Sequence, residues 1–253
     1  MAAEEFKNRD LAGSHFQHVD LSRVTIHDAL MRDVRITGAW MVDLVLDGDV
    51  EGSLTVNGVD VVPYMHEVLN ARYPGRETVF AVMEGDADAF RAAWAIDQQV
   101  WASTVERARR LPEAKLHERV DGEWSFIQTL RHLVFATDSW IRRAIQGDPR
   151  PYDVLGLPFS EMGEIDGVPN DVEARPSLDE VLDLRADRMQ SVTDVIDALT
   201  DEQLEGTTEP VTDPGYPESE AFPVRRCLAA VVIEEWEHHL FANRDLAVLE
   251  AQV

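Results

Sequence analysis

Near its C-terminus the chain reads Val231-Val-Ile-Glu-Glu-Trp-Glu-His-His-Leu240. Around this stretch, apolar residues recur at helical spacing and form one stripe, which consists of Leu228, Val231, Val232, Ala242 and Leu246. The pattern predicts a long helix from Pro223 to Leu249 that buries one face against the rest of the protein.

The same stretch contains two Glu–His pairs with a spacing of four, Glu234 with His238 and Glu235 with His239. This spacing places two side chains on one helical face, with their Cβ atoms about 5–6 Å apart, close enough to hold one ion. Glu235 and His239 fall in the middle of the apolar stripe, whereas the other pair lies toward its edge. A buried carboxylate needs a cation, a metal or a strong donor. The helix alone leaves a structural Glu–Arg or Glu–His pair and a metal site equally open.

Three further helical segments precede this one, and they cover residues 86–111, 124–146 and 177–199. Their ends carry stop and start signals: Pro112 after the first, Gly147 and Pro149 after the second, and a Ser177-x-x-Glu180 capping box before the third. Four helices of this length predict an up-down four-helix bundle, so that the fold class is mainly α and residues 86–253 form the bundle domain.

Two connections of the predicted bundle are long, residues 148–176 and residues 200–222. The second contains seven acidic residues and no basic one. Loops of this length are often lids or binding loops, and we expect both to cover one end of the bundle. Plain surface loops are the equal alternative.

The N-terminal segment has a period of five, which fits neither a helix nor a strand. Apolar residues recur in phase at Phe6, Leu11, Phe16, Leu21, Ile26, Met31, Ile36, Met41 and Leu46. The segment resembles the pentapeptide-repeat family, which implies a short right-handed quadrilateral β-helix of about two coils. Residues 1–62 form this domain, closed by a hairpin at Asn57-Gly58, and residues 63–85 form a short helix and a linker.

His132 is the best remaining candidate for a third ligand, because it lies near the middle of the second predicted helix. Its own periodicity is less supportive, since His132 stands nearly opposite Leu130 and Val134. The helical pattern by itself therefore favours an exposed histidine, or one that faces a groove lined by small residues.

The segment Trp124-Ser-Phe-Ile-Gln-Thr-Leu-Arg-His-Leu133, followed by the motif at 234–239, resembles the DinB-like four-helix bundle family. The resemblance implies that His132, Glu235 and His239 hold a divalent transition metal, zinc or alternatively nickel. Many members carry His where this chain has Glu235, while the mycothiol-dependent branch of actinobacteria carries Glu.

Two imidazoles and one carboxylate leave coordination positions open, as in catalytic sites. The resemblance implies a metal-dependent transferase or isomerase that uses a low-molecular-weight thiol such as mycothiol or bacillithiol, with a small thiol or electrophile as partner. The alternative is a non-catalytic protein that binds another protein through its acidic repeat and bundle.

Composition limits the classes of partner and compartment. The net charge of −25 repels nucleic acid and anionic membranes. The single cysteine, Cys227, allows no intrachain disulfide, and the N-terminus lacks signal-peptide features. We therefore expect a cytoplasmic bacterial protein, with a homodimer compatible with its aromatic helix faces. The other histidines, His15, His18, His27, His66 and His117, are expected at the surface.

Overall fold

The computed structural model describes residues 4–26, 29–46, 48, 50, 52–160 and 162–252. The chain forms two compact units, Met1–Asp49 and Val50–Val253. The hairpin that the sequence analysis grouped with the repeat lies within the second unit. His27 lies outside the described residues.

The second unit is mainly helical, which confirms the predicted class. It begins with a two-stranded antiparallel hairpin, β1 (Thr55–Val56) and β2 (Val59–Asp60). The helices that follow are α1 (Val62–Arg72), α2 (Arg76–Phe80), α3 (Ala87–Ala108), α4 (Phe126–Thr137), α5 (Leu178–Ala198), α6 (Asp201–Leu204) and α7 (Val224–Glu250). Short 3₁₀ segments lie at Ala81–Met83 and Glu113–His117, and α4 continues as a π-helical segment, Asp138–Ile145.

Local sequence explains where the long helices begin. The predicted capping box at Ser177 and Glu180 is present at the start of α5, and a second one, formed by Ser125 and Gln128, starts α4. Asp86 caps α3 by accepting a hydrogen bond from the backbone N–H of Ala89. Each cap satisfies backbone N–H groups that the first helical turn leaves without a partner.

The core of the bundle lies between α3, α4, α5 and α7. One cluster contains Phe90, Trp94, Val192, Leu228 and Trp236, and a second contains Trp101, Ile127, Leu130, Val181 and Leu246. None of the described helices is long and apolar enough to span a membrane.

Buried arginines hold the two long connections against α4 and its π-helical continuation. Arg131 donates to the backbone carbonyls of Leu155, Asp171 and Ala174. Arg143 donates to the carbonyls of Pro149, Val211, Asp213 and Pro217. Both guanidinium groups are buried, so that these loops have fixed positions on the bundle.

In the first unit, the backbone repeats every five residues. Left-handed conformations (positive φ) occur at Asn8, Gly13, His18, Arg23, Asp33, Gly38, Asp43 and Gly48. Within its described residues, however, the backbone hydrogen bonds are two local turns, Leu11 to Ser14 and Leu21 to Val24. The nine apolar side chains of the repeat remain 45–66% exposed. The structure thus gives no evidence of the predicted two-coil β-helix, because stacked coils would be joined by hydrogen bonds and would bury this row.

Candidate metal centre

Three side chains from two helices, His132 of α4 and Glu234 and His238 of α7, meet at one point. Each offers a ligand atom, and the three atoms all lie within 4.8 Å of one another. The Nε2 atoms of His132 and His238 lie 3.6 Å and 3.0 Å from the same carboxylate oxygen, Oε2 of Glu234. The histidines are largely covered, whereas the side chain of Glu234 is 43% exposed. The group therefore opens to solvent on the side of Glu234.

A hydrogen bond fixes the orientation of His132. Its Nδ1 lies 3.0 Å from the backbone carbonyl oxygen of Leu157, which belongs to the first long connection. A carbonyl only accepts, so Nδ1 must carry a proton, and Nε2 is the ring nitrogen directed toward Glu234. Metal-binding histidines commonly have such a second partner.

An aromatic ring supports both histidines. The Trp124 ring centroid lies 4.5 Å from that of His132 and 6.0 Å from that of His238. The two imidazoles themselves meet edge-on at 5.0 Å. These contacts limit the rotation of both rings and keep their Nε2 atoms near Glu234.

Glu234 is charged at neutral pH. Burial raises the pKa of its carboxyl, but hydrogen bonds and charge interactions with His132 and His238 outweigh burial and hold the pKa well below the usual range. An ionised carboxylate and two imidazole nitrogens suit a divalent transition metal, and three protein ligands leave a coordination position open. The donor set and the orientation of His132 fit a metal ion.

Glu235 and His239, the ligands predicted with His132, face another part of the bundle. Glu235 is 1% exposed and accepts two hydrogen bonds from Arg185 of α5, at 2.7 and 3.1 Å. The Nδ1 of His239 pairs with the backbone carbonyl of Trp236, and its ring contacts the Trp236 ring. The structure brings His132 together with Glu234 and His238 and not with this pair.

The difference is one residue, or about 100° of rotation around α7. The middle of the apolar stripe is the most deeply buried side of α7. There the Glu235 carboxylate pairs with Arg185, as in the structural Glu–Arg pair that the sequence allowed as an alternative to a metal site. The edge of the stripe faces His132 and solvent, which suits a ligand site. The equal spacing of the Glu234–His238 pair was the sequence signal for it.

A second buried acid lies beside the Arg185–Glu235 pair. Asp97 of α3 is fully buried, and neither of its carboxyl oxygens has a hydrogen-bond partner among the described residues. Burial raises the pKa of Asp97 well above its ordinary value; nearby Glu235 raises it further, and Arg185 lowers it. Burial thus favours the protonated form of Asp97. The sequence pattern did not reveal this residue.

Replacing Asp97 by asparagine is expected to change how stability depends on pH. Above the unfolded-state pKa, about 3.9, the unfolded chain loses this proton while folded Asp97 keeps it, so the wild-type free energy of unfolding falls as pH rises toward the raised folded pKa. The Asp97→Asn variant lacks this contribution. Urea unfolding across this pH range measures it, with exposed Asp183→Asn as the control. An equal pH dependence in wild type and Asp97→Asn would contradict the raised pKa.

Comparison with known proteins places the bundle in a family. The model of the DinB superfamily matches residues 97–242, which are more than half of the chain and include His132, Glu234 and His238. No curated protein and no solved structure matches the sequence. The family match and the His–His–Glu group, which can hold a metal ion, agree with each other. The chain belongs to the DinB superfamily.

Proposed function

We propose that the protein is a metal-dependent transferase or isomerase that uses a low-molecular-weight thiol such as mycothiol or bacillithiol. The observation that carries the proposal is the group of His132, Glu234 and His238, whose orientation is fixed and which opens to solvent beside Glu234. A purely structural metal site has four protein ligands and no open side.

The chain's own residues supply binding and orientation. His132 and His238 present their Nε2 atoms, Glu234 supplies the negative charge, and Trp124 holds the imidazoles in place. A divalent ion held there, zinc or alternatively nickel, would favour the thiolate form of a bound thiol at neutral pH.

The protein has no thiol of its own for this chemistry. Cys227 is the single cysteine, and its side chain is fully buried in a cluster with Ala144 and Phe222. Burial raises the pKa of the Cys227 thiol to about 11, with a smaller opposing contribution from Arg226. A thiol that reacts at this site must therefore come with the substrate.

Zinc-loaded protein is expected to accelerate conjugation of a small thiol, such as cysteine, to chlorodinitrobenzene. Removal of the metal with a chelator should lower the rate at least about 100-fold, because a bound metal ion typically stabilises charge in the transition state by several kcal/mol. The rate is followed by absorbance, and re-addition of Zn²⁺ should restore it. Equal rates in chelated and zinc-loaded protein would overturn the proposed function.

A protein-binding role for the N-terminal unit is the second candidate. Its supporting observation is the row of apolar side chains that stays exposed, together with Trp40, which is 94% exposed. Large exposed apolar surfaces often mark interaction sites. If this row binds a second copy of the chain, sedimentation should show a dimer that Phe16→Ser weakens.

A further inference from the structure

Tyr216 lies in the second long connection and is held there by several polar contacts. The hydroxyl of Tyr152 accepts from its backbone N–H at 2.8 Å and donates to its carbonyl at 2.7 Å. The guanidinium of Arg143 binds carbonyls on both sides of it, at Asp213 and Pro217. Gly215 makes this fit possible, because a Cβ there would lie 2.6 Å from the Tyr152 hydroxyl oxygen. Tyr216 therefore has a fixed backbone.

The side chain of Tyr216 lies among rings that lead to the metal centre. Its ring centroid is 5.9 Å from that of Phe135, and Phe135 in turn lies 6.3 Å from His132. The Trp140 ring also meets the Tyr216 ring edge-on, with 5.8 Å between the centroids. The Tyr216 hydroxyl has no hydrogen-bond partner in the part of the chain that the structure describes, although both backbone polar groups of the residue are bonded. A fixed, half-buried tyrosine thus presents an unused hydroxyl near the site.

Arg226, near the start of α7, lies against the same ring cluster. It is exposed, and its guanidinium carbon lies 5.7 Å from the Trp140 centroid and 5.4 Å from that of Phe222. No carboxylate of the described residues lies within 4.0 Å of it, although the chain has 48 acidic residues and 23 basic ones. Its neighbour on the same helix, Arg225, pairs with Glu205.

Two charged residues, Glu234 and Arg226, affect the pKa of the Tyr216 phenol. Burial raises the pKa of its phenol; Glu234 of the metal centre raises it further, and Arg226 lowers it. The phenol is therefore neutral and available as a donor. Arg226 and Glu234 are eight positions apart on α7, which corresponds to a rise of about 12 Å along the helix axis.

We propose that the Tyr216 hydroxyl and the Arg226 guanidinium form an anion-binding subsite next to the metal centre, so that the thiol used by this enzyme carries a carboxylate or another anionic group. This inference rests on the proposed function, because it assumes that the thiol sulfur lies at His132, Glu234 and His238. The rings between the two ends contact the apolar part of the ligand. An arginine and a tyrosine hydroxyl together suit a carboxylate, since both donate hydrogen bonds to it.

The test compares two thiols that differ only in their far end, mercaptohexanoate and mercaptohexanol. Full-length protein is loaded with Co²⁺, and each thiol is titrated while the thiolate-to-cobalt absorption band is recorded. In the wild type the carboxylate is expected to bind about tenfold more tightly than the alcohol, the gain of one charge-assisted contact. Arg226→Met should bring this ratio close to one, Arg226→Lys should keep part of it, and Tyr216→Phe should lower it a few-fold.

Arg110→Met is the matched control, because Arg110 is an exposed arginine of the helical unit that pairs with Glu106 and not with the ring cluster. It should keep the full preference. An equal loss in Arg110→Met and Arg226→Met would assign the preference to net charge and overturn the subsite, and so would equal binding of both thiols by the wild type. If neither thiol produces the band although cobalt is bound, the proposed function itself fails. Thermal unfolding of each variant verifies that it is folded.

Discussion

Replacing His238 by alanine is expected to abolish metal binding, whereas replacing its neighbour His239 leaves binding intact. His238 directs its Nε2 toward Glu234 and His132, while His239 is bonded to a backbone carbonyl within α7. Removal of one of three ligands leaves two, too few to retain an ion through purification. Metal per folded chain, measured by elemental analysis after gel filtration, should fall from about one to near zero in His238→Ala and His132→Ala.

The two adjacent histidines control for each other. Both variants lose one imidazole from the same turn of α7, so a general effect on folding or charge would be shared. His239 is more buried than His238, so that His239→Ala is expected to lower the midpoint of thermal unfolding. The metal content of this variant should nevertheless match that of the wild type. If His239→Ala loses the ion and His238→Ala keeps it, the ligands are the pair predicted from the sequence, Glu235 and His239.

Replacing Arg185 by methionine is expected to destabilise the bundle by about 3–5 kcal/mol. Both partners of the Arg185–Glu235 pair are almost completely buried, at 3% and 1% exposure. Without the arginine, the buried Glu235 carboxylate loses both of the hydrogen bonds that Arg185 donates to it. Urea unfolding followed by circular dichroism measures the loss.

A double variant separates the pair from its surroundings. Arg185→Met combined with Glu235→Leu removes both charges, and stability should recover most of the loss, because a buried pair replaced by apolar side chains is often close to neutral. The double variant should still bind one metal ion, since neither residue belongs to the group of His132, Glu234 and His238. Arg110→Met, which breaks an exposed pair, should cost at most about 1 kcal/mol. A loss in Arg185→Met no larger than this would contradict a structural role for the pair.

The helices could be predicted from sequence because their signals are local. The apolar spacing around Leu228 and Leu246, and the capping box at Ser177 and Glu180, involve residues within one or two turns of each other. The five-residue repeat at the N-terminus was also local, and the backbone of the described residues between Asn8 and Gly48 follows it. Stacking of coils would require contacts between residues about twenty positions apart, and the structure gives no evidence of such stacking.

The grouping of side chains from different helices could not be predicted from one helix. A helical wheel ranks the faces of α7 by depth, and it correctly marked Glu235 as the buried carboxylate that needs a partner. It cannot show what lies opposite each face. The answer came from residues distant in sequence: Arg185, fifty positions before Glu235, and the Leu157 carbonyl, which orients His132.

The sequence by itself therefore determined the four long helices, the acidic surface and the presence of a Glu–His pair suited to a metal, because these depend on composition and on spacing along one element. Only the tertiary structure decided that Glu234 and His238 meet His132, and that Asp97 lies beside the Arg185–Glu235 pair. The physical reason is that a buried charge is stabilised by a partner on a neighbouring helix or loop. Which helix or loop lies next to it depends on how the whole chain packs.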